Sequence, residues 1–160
     1  MNEFTEFYAA SKDRVFRTMI AAIGNRSDAE DAVAEAYARA FVRWRRLSEH
    51  PNPIGWVLIT ALNTHRRWWR GRREYPGEIP ERVDLPPDGA QLPAELRRLV
   101  LALPRRQREV VALRLVADMS AEQTGALLGI TAATVNVHLH RAVTTLRTRL
   151  GMPTKGELTR

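Results

Sequence analysis

Apolar residues at the start of the chain recur at helical spacing: Phe4, Phe7, Tyr8, Val15, Met19, Ile20 and Ile23. Each residue turns an α-helix by about 100°, so the series predicts an amphipathic helix with that side buried. Gly24 and Asn25 are a stop signal, because glycine accepts the left-handed conformation in which helices commonly end. A second series, Ala29, Val33, Ala36, Tyr37, Ala40 and Trp44, predicts a helix running to about Arg46. Its opening reads "SDAE", which places Ser27 as N-cap and Glu30 three residues on, the pattern of a capping box. "SEHPNP", from Ser48 to Pro53, breaks the periodicity. Asn52 can cap and Pro53 can open a third helix, with Trp56, Ile59 and Leu62 inward and "HRRWWRGRR" at its end.

From Tyr75 to Leu92 the periodicity is lost. Pro76, Pro80, Pro86 and Pro87 stand there with Gly77 and Gly89, and Glu78, Glu81, Asp84 and Asp88 oppose Arg82 alone. That composition predicts a flexible acidic linker. Helical spacing resumes after Pro93. "PAELRRLVLAL" buries Leu96, Leu99, Val100 and Leu103; "PRRQREVVALRLV" takes Pro104 into its first turn and buries Val110, Val111, Leu113 and Leu115. "SAEQTGALLG" has Ser120 as N-cap, Gln123 at the third position and Gly129 at the C-terminal turn, and Thr131 then caps a last helix. Helix, short glycine-containing turn, helix is the layout of a helix-turn-helix. No strand alternation and no internal repeat occur. The expected fold is all-α: two small helical domains, 1–74 and 93–151, joined by the linker 75–92 and followed by a tail, 152–160.

In the last helix Val135, Leu139, Ala142 and Leu146 fall at i, i+4, i+7 and i+11, which defines the core side. Thr134, Asn136, Val137, His140 and Arg141 then face outward near the N-terminal half, the half that meets base edges in this motif. Asparagine can pair with adenine, arginine with guanine, and valine can meet a thymine methyl. Ala132 and Ala133 allow close approach. A solvated face of an ordinary helical hairpin is the plainer alternative; the agreement of cap, turn and stripe favours DNA reading. His138 and His140 are two positions apart and point to different faces, whereas a helical metal pair wants i, i+4.

Composition narrows the picture further. The formal net charge is +7 and the pI about 10.9, which favours a polyanionic partner. Lys12 and Lys155 are the only lysines, so arginine, whose fork suits phosphate and base edges, carries the charge. The chain has no cysteine, which excludes disulfides and thiol chemistry. No apolar run approaches the roughly 20 residues of a membrane span, and the acidic N-terminus is not a signal peptide. A cytoplasmic protein without membrane insertion is expected. There is no phosphate loop, nucleophile elbow or metal-ligand pattern, so no catalytic residue, metal or cofactor is assigned.

Two constellations in the first domain remain. "NTHRRWWRGRR" combines cations with two adjacent indoles, and neighbours on a helix diverge by about 100°, so one of Trp68 and Trp69 is expected inward and the other partly exposed. Exposed indoles beside arginines can stack unpaired bases; a solvated cationic helix end is the competing reading. Asp28, Asp31, Glu35 and Arg39 follow helical spacing on the polar side of the second helix, as a solvated face or a protein-docking surface.

Taken together, "GNRSDAEDAVAEAYARAFVRW", "NPIGWVLITALNTHRRWWRGRR" and "ALPRRQREVVALRLVADMSAEQTGALLGITAATVNVHLHRAVTTLR" resemble regions 2.2–2.3, 2.4 and 4 of RNA polymerase sigma factors, in the compact extracytoplasmic-function (ECF) group of the sigma-70 family. The resemblance implies docking on core RNA polymerase: Asp28, Asp31, Glu35 and Arg39 on the β′ clamp helices, and region 4 on the β flap. It implies that Asn52, Trp56, Asn63, Arg66, Arg67 and Arg70 bind the melted minus-ten element of promoter DNA. It implies that Thr131, Ala133, Thr134, Asn136, Val137, His140 and Arg141 read the minus-thirty-five element, and that an anti-sigma factor controls the protein. The chain departs from the usual pattern at Gln123, Thr124 and Gly125, where Glu-Ile-Ala is common. It departs again at Asn136, where a cation is common, and at Arg67, where an acid is common. A free-standing helix-turn-helix regulator is the alternative, and it would have no need of "HRRWWRGRR" after an acidic helix.

Overall fold

The computed structural model describes residues 2–74 and 93–152; the expected linker and the end of the expected tail lie outside the described residues. Every regular element among the described residues is a helix. The chain divides into two compact units, Met1–Leu85 and Pro86–Arg160.

The first unit holds α1 (Glu3–Ile23), α2 (Arg26–Val42), a single turn α3 (Trp44–Leu47) and α4 (Pro53–Glu74). α1, α2 and α4 pack against one another. Its core joins Val15 and Met19 of α1 to Val57, Leu58, Ala61 and Leu62 of α4 across α2, which contributes Ala29, Ala32, Ala36 and Ala40. Alanine at these positions leaves α2 a thin helix that both neighbours can approach. Burying a side chain such as Met19 or Leu58 stabilises the unit by about 1.5–3 kcal/mol. One buried polar tie crosses the core. Ser11 Oγ donates to Phe7 O at 2.7 Å, so the Tyr37 hydroxyl, also 2.7 Å away, is the donor to Ser11. Burial pushes the Tyr37 phenol up to about 12.

Several local expectations shift. Asn25, not Ser27, caps α2: its Oδ1 accepts from Asp28 N at 2.9 Å, while Ser27 is exposed and Glu30 takes Arg26 Nε at 3.1 Å instead. Asparagine caps as well as serine, and starting at Asn25 adds helical residues at no loss. Gly24, at φ +86°, ends α1 immediately before this cap, so the two helices turn without a loop. The second helix does not run on to Arg46; it breaks at Arg43 (φ −102°, ψ 14°). Trp44 is thereby turned onto Phe4 and Phe7, with ring centroids 5.6 and 5.0 Å away. Trp56 and Ile59 are only half-buried, and Val57 and Leu58 take the inward places.

The second unit holds α5 (Ala94–Leu101), α6 (Arg105–Val111), a π turn (Ala112–Val116), α7 (Ala121–Leu128) and α8 (Ala132–Arg149). Val100, Leu103, Val111 and Ala142 form its core cluster, with Leu96, Leu139 and Leu146 packed against it. Arg108 Nη1 donates to Leu101 O and Leu103 O at 3.2 and 3.4 Å, tying α6 to the end of α5. Pro104 stands one place before the helix rather than in its first turn, with ψ 144°. Leu115, expected inside, is 59% exposed. The reason is the π turn: Ala117 N–H reaches back five residues to Ala112 O at 3.0 Å, so the α-helical register that placed Leu115 under Val111 is lost.

Candidate nucleic-acid interface and partner-docking face

The turn between α7 and α8 is closed by side chains and backbone together. Ser120 N–H donates to Gln123 Oε1 at 2.9 Å and Gln123 N–H donates to Ser120 Oγ at 3.0 Å, a complete capping box. Gly129 ends α7 at φ +72°, a conformation glycine adopts without penalty, and Ile130 N–H reaches Gly125 O at 3.0 Å. Thr131 Oγ1 accepts from Thr134 N at 3.1 Å and starts α8 at once. Gly125 lies against this turn so closely that a Cβ there would sit 2.5 Å from Ile130 O.

With the turn fixed, α8 has one orientation. Val135 and Ala142 are fully buried, and Leu139 and Leu146 are half-buried on the same stripe. Thr131, Ala133, Asn136, Val137, His140 and Arg141 are exposed, and Thr134 is half-buried beside the cap. Val137 is 46% exposed, an apolar group offered to solvent amid polar neighbours. The two histidines part company as their spacing requires: His140 is exposed, whereas His138 is half-buried with Nδ1 shielded and unbonded among the described residues.

α4 carries the second set. Asn52, Trp56, Asn63 and Arg70 are spaced by four, seven and seven residues, so they share one side of the helix, with Arg66 and Arg67 flanking it. Val57, Leu58, Ala61 and Thr64 hold the opposite, buried side. From Asn63 to Arg70 the cationic stretch runs about 10 Å at 1.5 Å per residue. Asn63 Oδ1 accepts from Arg66 Nη1 at 3.3 Å, and Arg67 and Arg70 are exposed. Asn52 has a structural duty, since its Oδ1 accepts from Gly55 N at 3.1 Å and caps α4.

On α2 the acidic set divides. Asp31 and Glu35 are exposed, and Glu35 pairs with Arg39 at 3.1 Å. Asp28 is buried to 8% and turns toward α4, its Oδ2 3.4 Å from His65 Nε2. It therefore does not share the outer face with Asp31; its place one turn from the cap sets it against α4. Ala34, Ala38, Phe41 and Val42 lie on the exposed side with Asp31 and Glu35, at intervals of three and four. Phe41 is 59% and Val42 79% exposed, and Phe41 meets Phe4 edge-on at 5.2 Å. These two were missed in the sequence because large apolar residues in a helix read as core. The sole signal was that Val42 lies off the stripe set by Val33, Ala36 and Tyr37.

The capping box, the glycine-ended turn and α8 form a helix-turn-helix unit, preceded by a helical unit with a cationic face. The Sigma-70 region 2 family matches residues 7–75 and the Sigma-70, region 4 family matches residues 94–146. The RNA polymerase sigma-E factor of Streptomyces coelicolor is 34% identical over 155 residues, covering 92% of this chain and 86% of that protein. The ECF RNA polymerase sigma factor SigD of Mycobacterium tuberculosis is 37% identical over 131 residues, covering 74% of this chain and 61% of that one. The chain belongs to the sigma-70 family, in its ECF group, a family of transcription-initiation factors rather than enzymes. In fold it resembles the sigma factor RpoE of Bartonella quintana, solved with the anti-sigma factor NepR, at a TM-score of 0.85 with 19% identity over 96% of this chain and 100% of that one. It also resembles CnrH, solved with the cytosolic domain of CnrY, at a TM-score of 0.66 with 20% identity over 92% of this chain and 87% of that one. Among the described residues no helix is long and apolar enough to cross a membrane.

Proposed function

We propose that this sigma factor binds core RNA polymerase and directs promoter-specific initiation, with residues 1–74 engaging the minus-ten element and 93–151 the minus-thirty-five element. The observation that carries the reading is the outer side of α8, where Asn136, Val137, His140 and Arg141 stand exposed over a turn capped on both sides. A rigid turn holds donors at one angle to the groove, and hydrogen bonds and apolar contacts to base edges supply sequence discrimination there. The one-sided array from Trp56 to Arg70 on α4 supports a role against the melted strand: arginines hold phosphates while polar and aromatic groups meet bases. Asp31 and Glu35, with the flat lane of Ala34 and Ala38, support docking of a helical partner, the β′ clamp helices. Asp28 contributes to that face from beneath, by fixing α2 on α4, rather than by contact. Region 4 engages the β flap.

The relatives, named as RNA polymerase sigma factors, and the anti-sigma factor NepR bound to the Bartonella quintana sigma factor support the same partners, core polymerase and an anti-sigma factor. The test is reconstitution. Co-elution with core polymerase on gel filtration, and run-off transcripts from a promoter library that appear only when the protein is added, are the expected results. Specific duplex binding by the protein alone, without co-elution, would overturn the reading.

A further inference from the structure

The segment that joins α3 to α4 reads "SEHPN", and Ser48, Glu49, His50 and Pro51 are all exposed. A polar surface connection of this kind is ordinarily mobile. Here it is bonded from end to end. Ser48 N–H donates to Trp44 O at 2.8 Å and His50 N–H to Leu47 O at 3.0 Å. Asn52 N–H then donates to His50 Nδ1 at 2.9 Å, and Gly55 N–H to Asn52 Oδ1 at 3.1 Å. The imidazole does what an asparagine or aspartate side chain does in an Asx turn: it closes on the amide two residues ahead. Asn52 is thus held through its own N–H and through its side-chain oxygen, and its amide lies over Gly55 so closely that no Cβ fits there.

The near end of this segment is held by rings. α3 is a single turn, too short to persist without support. Leu47, 4% exposed, seats one side of it. Trp44 seats the other, with ring centroids 5.0 Å from Phe7 and 5.6 Å from Phe4, both in the first turns of α1. The Trp44 Nε1 is shielded and unbonded among the described residues, so ring packing rather than a hydrogen bond fixes the indole. Contacts therefore run without a gap from the start of α1, through Trp44 and the turn, to Asn52 at the head of α4.

We propose that His50 and Trp44 are positioning residues for minus-ten recognition: Trp44, seated on Phe4 and Phe7, roots the turn, and His50 Nδ1 fixes the amide of Asn52. Their part is to hold Asn52 and the turn before it in one place rather than to touch a base. Base discrimination depends on that placement, because a hydrogen bond weakens steeply once its donor and acceptor part or lose alignment. The inference rests on reading residues 1–74 as the unit that engages the minus-ten element.

The test uses holoenzyme reconstituted from the full chain and core polymerase. The probes are fork-junction DNAs made from a promoter it transcribes, with the natural minus-ten element or with single bases of it replaced. The readout is the ratio of affinities for natural and replaced forks, with the same ratio for replaced minus-thirty-five bases as the internal control. His50→Leu, which removes the acceptor, should lower the minus-ten ratio about tenfold and leave the minus-thirty-five ratio as it was. His50→Asn, which supplies an acceptor for the amide two residues ahead, should restore the ratio. Trp44→Leu should lower it in the same way, and Trp44→Phe, which keeps a ring in the seat, should retain more of it. An unaltered minus-ten ratio in His50→Leu would overturn the proposal. So would an equal loss in His50→Leu and His50→Asn, which would make the imidazole itself a DNA contact. If Trp44→Leu no longer binds core polymerase, the His50 pair, on the exposed turn, decides. If the natural holoenzyme shows no preference among minus-ten bases, the reading of the first unit fails and this inference falls with it.

Discussion

Gly125→Ala isolates the packing of the helix-turn-helix from its chemistry. An added Cβ would lie 2.5 Å from Ile130 O, 3.3 Å from Thr131 C and 3.4 Å from Ala132 N, all backbone atoms. The first contact is nearly an ångström shorter than ordinary van der Waals approach, and no flexible side chain can yield. Either α7 or the turn must move. Movement strains Ile130 N–H to Gly125 O, worth about 1 kcal/mol net, and the overpacking itself costs about 1–3 kcal/mol. Alanine returns about 1 kcal/mol in helix propensity. The expected net destabilisation is about 1–3 kcal/mol, confined to the second unit. Ala126→Gly, on the exposed side of the same helix, is the control that loses propensity alone. Hydrogen exchange read on peptides covering 120–135 should show faster exchange at Ile130 in Gly125→Ala, and promoter duplex binding by holoenzyme should weaken as α8 tilts. Slower exchange with unchanged binding would show that propensity governs the site and that the turn is not tightly packed.

Three further outcomes are expected. Asp31→Arg with Glu35→Arg reverses the charge of the exposed side of α2 and should cost several kcal/mol in core polymerase binding, measured by competition at moderate salt with helix content unchanged; unaltered affinity would remove this face from the docking surface. Asn136→Ala and His140→Ala should each alter minus-thirty-five preference in competition against mutated sites, by about 1–3 kcal/mol where a bidentate pair is lost, while His138→Ala acts weakly and alike on all sequences. Tyr37 sets an alkaline limit: in the unfolded chain its phenol ionises near 10, in the folded one near 12, so the stability it confers is complete below about pH 10 and is lost progressively toward 12. The loss should reach about 2–3 kcal/mol in urea titrations followed by tryptophan fluorescence, and Tyr37→Phe should flatten that pH dependence.

Periodicity made the helices legible because each main helix has one buried stripe; Val135 and Ala142 fall where their spacing put them. Caps were harder to read. Asn25 and Ser27 are both competent, and only the backbone at Gly24 decides between them. The misplacement of Leu115 has a different origin, since a π turn leaves no mark on a hydrophobic pattern that assumes 3.6 residues per turn. At the candidate site, α8 was readable because one stripe fixes its rotation. Asp28 was not, because an acid at polar spacing can face either solvent or a neighbouring helix that approaches its end.

The π turn has a consequence for chain length. Its hydrogen bond joins Ala112 to Ala117 across one residue more than an α turn contains. Elsewhere in a helix, removing a residue rotates everything beyond it by about 100° and throws the next buried stripe outward. Here the exposed Leu115 can be removed and the same two residues, Ala112 and Ala117, close an ordinary α turn. The segment before α7 is thus a point where the chain can lose a residue while the capped turn and α8 keep their register on the core.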